Sequence, residues 1–166
     1  MKLKYKKYIL IVGCILFLTA CDEIREIKNI IPSEKSNNSL KLDISGDIAG
    51  PDINTNGIRD DIDAYIAKQG YTASQLKSVQ QIAKAQADIL LVDIGSQDAL
   101  RLSDLSLQKS INCVFSKFPA AGKSAGAIKN IEKITVNTKL RVEVYTKYQI
   151  AMNGKVLASP QGDSCE

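Results

Sequence analysis

From Ile58 onward the apolar residues recur every three or four positions, and this period restricts the chain to packed helices more than any other feature does. Ile58, Ile62, Tyr65 and Ile66 share one face, and Gly70 stands where that helix should end. Thr72-Ala73-Ser74-Gln75 fits a capping box for a second helix, whose stripe of Leu76, Val79, Ile82, Ala83, Ile89 and Leu90 ends near Gly95. A third helix is predicted from Ser96 to Phe118, with Leu107, Ile111, Val114, Phe115 and Phe118 inward and Pro119 as its stop. Leu140, Val144, Tyr145, Tyr148 and Met152 suit another helix ended by Gly154. Val136, Leu140, Val142, Val144, Tyr148, Ile150 and Met152 also alternate as a strand leading into an Asn153-Gly154 hairpin turn. Such a strand would exceed a dozen residues with little else to pair with, so helix is the expectation. The fold class is therefore mainly α, a small domain of about four helices over residues 52–166.

The charge of the chain is unevenly placed. There are 22 Lys and Arg against 18 Asp and Glu, a formal net charge of +4. Lys2, Lys4, Lys6 and Lys7 account for all of the excess, so beyond the first seven residues the balance is neutral. Nucleic-acid binding needs clustered Lys and Arg, and it is not expected here. The chain has no His, which excludes Ser-His-Asp and Cys-His catalysis and any His-ligated zinc site. With no Trp and 5% aromatics, a base-stacking surface is not expected either.

The four lysines precede residues 8–18 (YILIVGCILFL), an uncharged apolar run too short to span a bilayer of about 30 Å but suited to an export signal. Leu18-Thr19-Ala20-Cys21 follows at once and resembles the lipobox of bacterial lipoproteins. That resemblance implies cleavage after residue 20, a diacylglycerol thioether on Cys21 and acylation of its amino group. It implies a protein of the cell envelope, facing the periplasm or the cell surface and held on a membrane by lipid, at about 0.8 kcal/mol per buried CH₂. Asp22 resembles an inner-membrane retention signal of enteric bacteria, a rule other bacteria do not share, so inner and outer membrane stay open. Residues 32–39 (PSEKSNNS) are apolar-free after the proline and read as part of a flexible tether over residues 21–51, in which Leu40, Leu42 and Ile44 alternate like a short strand or extended segment.

Cysteine usage fits that address. Cys14 lies in the export signal and Cys21 would carry lipid, which leaves Cys113 and Cys165 to form a disulfide in an oxidising compartment. The bond would close a loop of about 50 residues and stabilise the fold by roughly 4 kcal/mol in the chain-entropy view.

One motif carries chemistry. In Asp52-Ile53-Asn54-Thr55-Asn56-Gly57-Ile58-Arg59-Asp60-Asp61-Ile62-Asp63, oxygen side chains occupy positions 1, 3, 5, 9 and 12, and glycine position 6. Ca²⁺ takes six to eight oxygens at about 2.3–2.6 Å, and this spacing lets a short loop surround one ion. The segment resembles the calcium loops of thrombospondin type 3 repeats, and more loosely those of dockerins and EF-hands. The resemblance implies Asp52, Asn54, Asn56, the Ile58 carbonyl, Asp60 directly or through water, and Asp63 as ligands. Asn replaces Asp at positions 3 and 5, Asp replaces Glu at 12, and one loop is present, so a weak site of about 10⁻⁴–10⁻³ M is expected. A metal-free loop shaped by Asx turns, with Asp60, Asp61 and Asp63 at the positive end of a helix, accounts for the same residues.

Two Ser-x-x-Lys patterns, Ser74 to Lys77 and Ser106 to Lys109, match penicillin-interacting acyl enzymes in two letters only, and Lys-Thr-Gly is absent. Gly122-Lys123-Ser124 lacks the earlier glycine of a P-loop and reads as a loop before a helix. The expectation is a non-enzymatic binding or scaffolding module with a protein partner in the envelope. An immunity or inhibitor lipoprotein against an envelope-targeting toxin is the narrower alternative, and a Ser/Lys hydrolase the remote one.

Overall fold

The computed structural model describes residues 40–155, 160, 162 and 164–166. The expected export signal, Cys21 and the expected tether up to residue 39 lie outside the described residues. Residues 40–166 form one compact unit, in which the described residues make five helices: α1 (Asp60–Ala67), α2 (Ala73–Leu91), α3 (Gln97–Lys117), α4 (Ala121–Thr135) and α5 (Lys139–Met152). Among the described residues there is no strand, and no helix is long and apolar enough to cross a membrane.

The caps explain the starts. Thr72 Oγ1 accepts from the Gln75 amide while Gln75 Oε1 accepts from the Thr72 amide, which is the reciprocal box the sequence predicts. Ser96 and Thr138 cap α3 and α5 through the amides of Ala99 and Arg141. Helix α4 starts without a side-chain cap, and Gly122-Lys123-Ser124 lies within its first turn rather than in a preceding loop.

The helix α2 touches each of the other four. On one side Val79 and Ala83 pack with Ile58, Ile62 and Ile66 of the first turn-and-helix and with Ala127 and Ile131 of α4. On the other, Ile89 packs with Leu100 of α3 and Tyr148 of α5. Burying each such large apolar side chain contributes about 1.5–3 kcal/mol. The α3 face differs from expectation at one place: Phe115 is 44% exposed, and the inward positions are Leu100, Ser110, Cys113 and Val114. The small Ser110, whose hydroxyl donates to Ser106 O, lets α3 approach α2 closely there. The segment 136–152 is helical from Lys139, and its even-numbered Leu140, Val142 and Ile150 face solvent.

The expected disulfide is present: Cys113 and Cys165 are joined across 52 residues, with Cα atoms 4.9 Å apart. It holds residues 164–166 against α2 and α3. Gln81 Nε2 donates to Ser164 O (3.0 Å), Gln81 Oε1 accepts from the Glu166 amide (3.2 Å), and Asn112 Nδ2 donates to Ser164 Oγ (3.0 Å).

Residues 43–59 are fixed by two buried arginines. Leu40, Leu42 and Ile44 form no strand, and Ile44 is exposed. Arg141 has 0% exposure, and all five of its N–H donors are used: on Ile48 O, Asp43 O, Asn137 Oδ1, Asp43 Oδ2 and Asp47 O. Arg59 forks onto both Asp61 oxygens (2.5 and 3.0 Å) and donates to Ile134 O and Thr135 O at the end of α4. Gly50, at φ +71°, passes so close that a Cβ there would run into the Arg59 side chain and the Asp43 carboxylate.

Candidate functional site

This clamp presents the 52–63 loop. Pro51 O accepts from the Asp60 amide (2.8 Å), and Arg59 O accepts from the amides of Ile62 and Asp63 (2.9 and 3.0 Å), so the loop leads directly into α1. Asp52 then folds the loop over itself: its Oδ1 accepts from the Asn56 amide (3.1 Å) and its Oδ2 from the Gly57 amide (2.8 Å). Asn54 Oδ1 accepts from the Asn56 amide and Asn56 Oδ1 from the Ile58 amide, two successive Asx turns. Gly57 takes φ +82° at the bend, and a Cβ on it would stand 3.1 Å from the Lys84 side chain. Thr55 also has positive φ, 55°, an uncommon state for a residue that is not glycine.

Four of the five predicted side-chain ligands are brought together. Asp63 Oδ2 accepts from Asn54 Nδ2 (3.2 Å) and Asn56 Nδ2 (2.7 Å), while Asp52 holds the amides between them. Asp60 turns aside, its Oδ1 accepting from the Ile53 amide (3.1 Å), and Asp61 serves Arg59 and the Asp43 amide instead. The donor set fits a hard cation in kind: carboxylate and amide oxygens only, converging on one short loop. Each oxygen that accepts a single N–H keeps a second lone pair. The amide groups of Asn54 and Asn56 present nitrogen to Asp63, so holding an ion requires both amides to turn. Among the described residues no three His, Cys, Asp or Glu side chains stand together as a metal-holding group, and the two asparagines would have to complete any site.

The loop forms one wall of a groove of about 570 Å³. Asn56 and Ile58 stand on that wall, Lys77, Gln81, Lys84 and Asp88 line the α2 side, and Ser106 and Glu166 complete it. Asp88 has its carboxyl raised above the usual range by burial, opposed by the charge of Lys84. Sequence reasoning placed the loop but missed this groove, because its residues come from four separated stretches. Of the Ser-x-x-Lys patterns, Ser74 Oγ shares a hydrogen bond with Thr72 Oγ1 (3.3 Å) at the α2 cap, and Ser106 lines the groove with Lys77 rather than with Lys109.

The two buried arginines are the functional scaffold that sequence reading did not find. The structure buries Arg141 completely. Tyr148 is 2% exposed, and Tyr145 donates to Glu132 Oε1 (3.1 Å). The spacing 141, 145, 148, 152 is itself helical and is the signal that points inward. No protein-family profile matches the chain, and neither a curated protein nor a solved structure matches it.

Proposed function

We propose that this chain is a non-enzymatic binding module of the bacterial envelope, anchored by lipid on Cys21, whose 52–63 loop takes one weakly held Ca²⁺ and thereby shapes the groove beside it. The convergence of Asp52, Asn54 and Asn56 with Asp63 carries the reading, since Asn56 belongs to both loop and groove. Asp52, Asn54, Asn56, the Ile58 carbonyl, Asp60 and Asp63 would hold the ion. The bound ion supplies a cross-link between the loop and the first turn of α1. The lipobox at residues 18–21 supports the anchor, and the neutral charge balance beyond residue 7 supports a protein partner rather than nucleic acid.

At about ten times Kd, binding stabilises the folded state by about 1.4 kcal/mol. Millimolar Ca²⁺ should raise the melting temperature by a few degrees, and Asp52→Ala should abolish the rise. Superimposable melting curves in Ca²⁺ and in chelator would remove the cation from the proposal. Metabolic labelling with a fatty acid tests the anchor separately: Cys21→Ser should lose the label.

A further inference from the structure

Helix α5 carries apolar residues on both of its sides. Arg141 and Tyr148 are its buried residues and mark the inward side. Leu140 and Ile150 lie outward, 42% and 69% exposed. Between them along the same side stand Glu143 and Lys147, both exposed. The steps from 140 to 143, 147 and 150 are three, four and three residues, which keeps all four side chains on one face of a helix. The fold does not use this face, and the β-branched Ile150 adds nothing to helix propensity there. Along the stripe the order is Leu, Glu, Lys, Ile, with apolar residues at its ends and opposite charges in its middle. Turned end for end, that order is complementary to itself.

We propose that the outward face of α5 binds a second copy of this chain, helix against helix, antiparallel and about a two-fold axis. With the axis at the level of Tyr145, Leu140 stands opposite Ile150 of the second copy and Glu143 opposite Lys147 of the second copy. Symmetry makes each contact twice, so one stripe supplies two apolar and two charge pairs. Glu143 already has Lys139 at 3.9 Å, and its two carboxylate oxygens leave room for a second ammonium. A parallel pairing does not fit, because it sets Glu143 against Glu143 and Lys147 against Lys147. A bilayer does not fit either, since it would strip water from both charges without neutralising them. Beyond residue 7 the acidic and basic residues balance, so two copies carry no net repulsion toward each other. One face of a 14-residue helix belongs with interfaces below about 1,200 Å², which makes the association weak in solution. Lipid on Cys21, as proposed above, would concentrate the copies on one membrane and strengthen the pairing. The pairing itself rests on neither that anchor nor the cation.

Sedimentation of the purified full chain in a mild detergent tests the proposal. It should show a monomer–dimer equilibrium; a chain that stays monomeric at about 1 mM overturns the inference. Glu143→Lys alone and Lys147→Glu alone should each weaken self-association about tenfold or more, because each sets like charges opposite one another at two places. Mixed together, the two variants should pair with each other as tightly as the unaltered chain does, since both opposite-charge contacts return. Weakening that mixing does not restore, or no weakening at all, overturns the antiparallel arrangement. Leu140→Ser with Ile150→Ser should abolish the dimer and leave the melting temperature of the dilute monomer unchanged, as both side chains already face solvent there. Self-association that persists in this variant belongs to another surface and overturns the proposal as well. Chelator should change none of these results, which keeps them separate from the cation loop.

Discussion

Two non-helical stretches are attached to the same set of helices by opposite chemistry. Residues 43–59 are held by charge: Arg141 and Arg59 meet Asp43 and Asp61 with little or no solvent between them. Residues 164–166 are held by one covalent bond and neutral amides. The difference lies in how each attachment can be undone. The first attachment yields only when a partner is deleted or the Asp43 carboxylate is neutralised by acid. The second yields when its S–S bond is reduced. The molecule thus has an ionic attachment, which presents the 52–63 loop, and a covalent one, and both border the same groove.

The sharpest way to break this comparison is at the ionic attachment. Arg141→Met should cost at least about 3–5 kcal/mol in a denaturant titration, because it leaves the Asp43 carboxylate and several carbonyls without their donor. A loss below about 1 kcal/mol would mean that the segment is held by something else. The same pair gives an acid limb. The hydrogen bond from Arg141 holds the Asp43 carboxyl below its usual range, so its contribution is present above about pH 4, the unfolded value, and lost as pH falls through the lower folded value. At the covalent attachment, Cys165→Ser should cost up to about 4 kcal/mol by loop entropy, yet leave helix content unchanged.

Tyr148 packs with Ile89 and Leu100. Its hydroxyl and that of Ser103 are both buried without a formed hydrogen bond, and Ser103 lies near enough to moderate the shift only slightly. Burial, reinforced by the charge of Asp104, pushes the phenol up to about 12. The folded state should therefore be fully stable with respect to this group below about pH 10 and lose about 2–3 kcal/mol as pH rises toward 12; Tyr148→Phe should flatten that loss. The smallest expected effect is at the loop: Gly57→Ala should cost about 1–2 kcal/mol through its positive φ, read as a lower denaturation midpoint.

The sequence shows the helices where local signals agree. Thr72 and Gln75 cap α2, Ser96 starts α3, and each stripe has the right period. It hides α4, because Ala120 offers no side-chain cap and Gly122 and Gly126 lower helix propensity, so packing of Ala127 and Ile131 has to stabilise what local preference does not. The oxygen-rich loop is visible because its Asp and Asn residues lie within one stretch of twelve residues, 52–63. Arg141 is invisible as a core residue because its acceptors lie more than 90 residues away, at Asp43, Asp47 and Ile48. Phe115 fails for a related reason: apolarity alone does not say which of two adjacent faces the neighbouring helix covers, and the small Ser110 decides it.

Helix α2 spans 19 residues without a glycine or proline, a rod of about 28 Å with no hinge along it. Lys84 rests against the bend of the loop, Gln81 grips residues 164–166, and Ile89 meets Tyr148 at the far end. These three points of load lie in series on one stiff beam. Torque applied at one of them is carried to the others without being absorbed on the way.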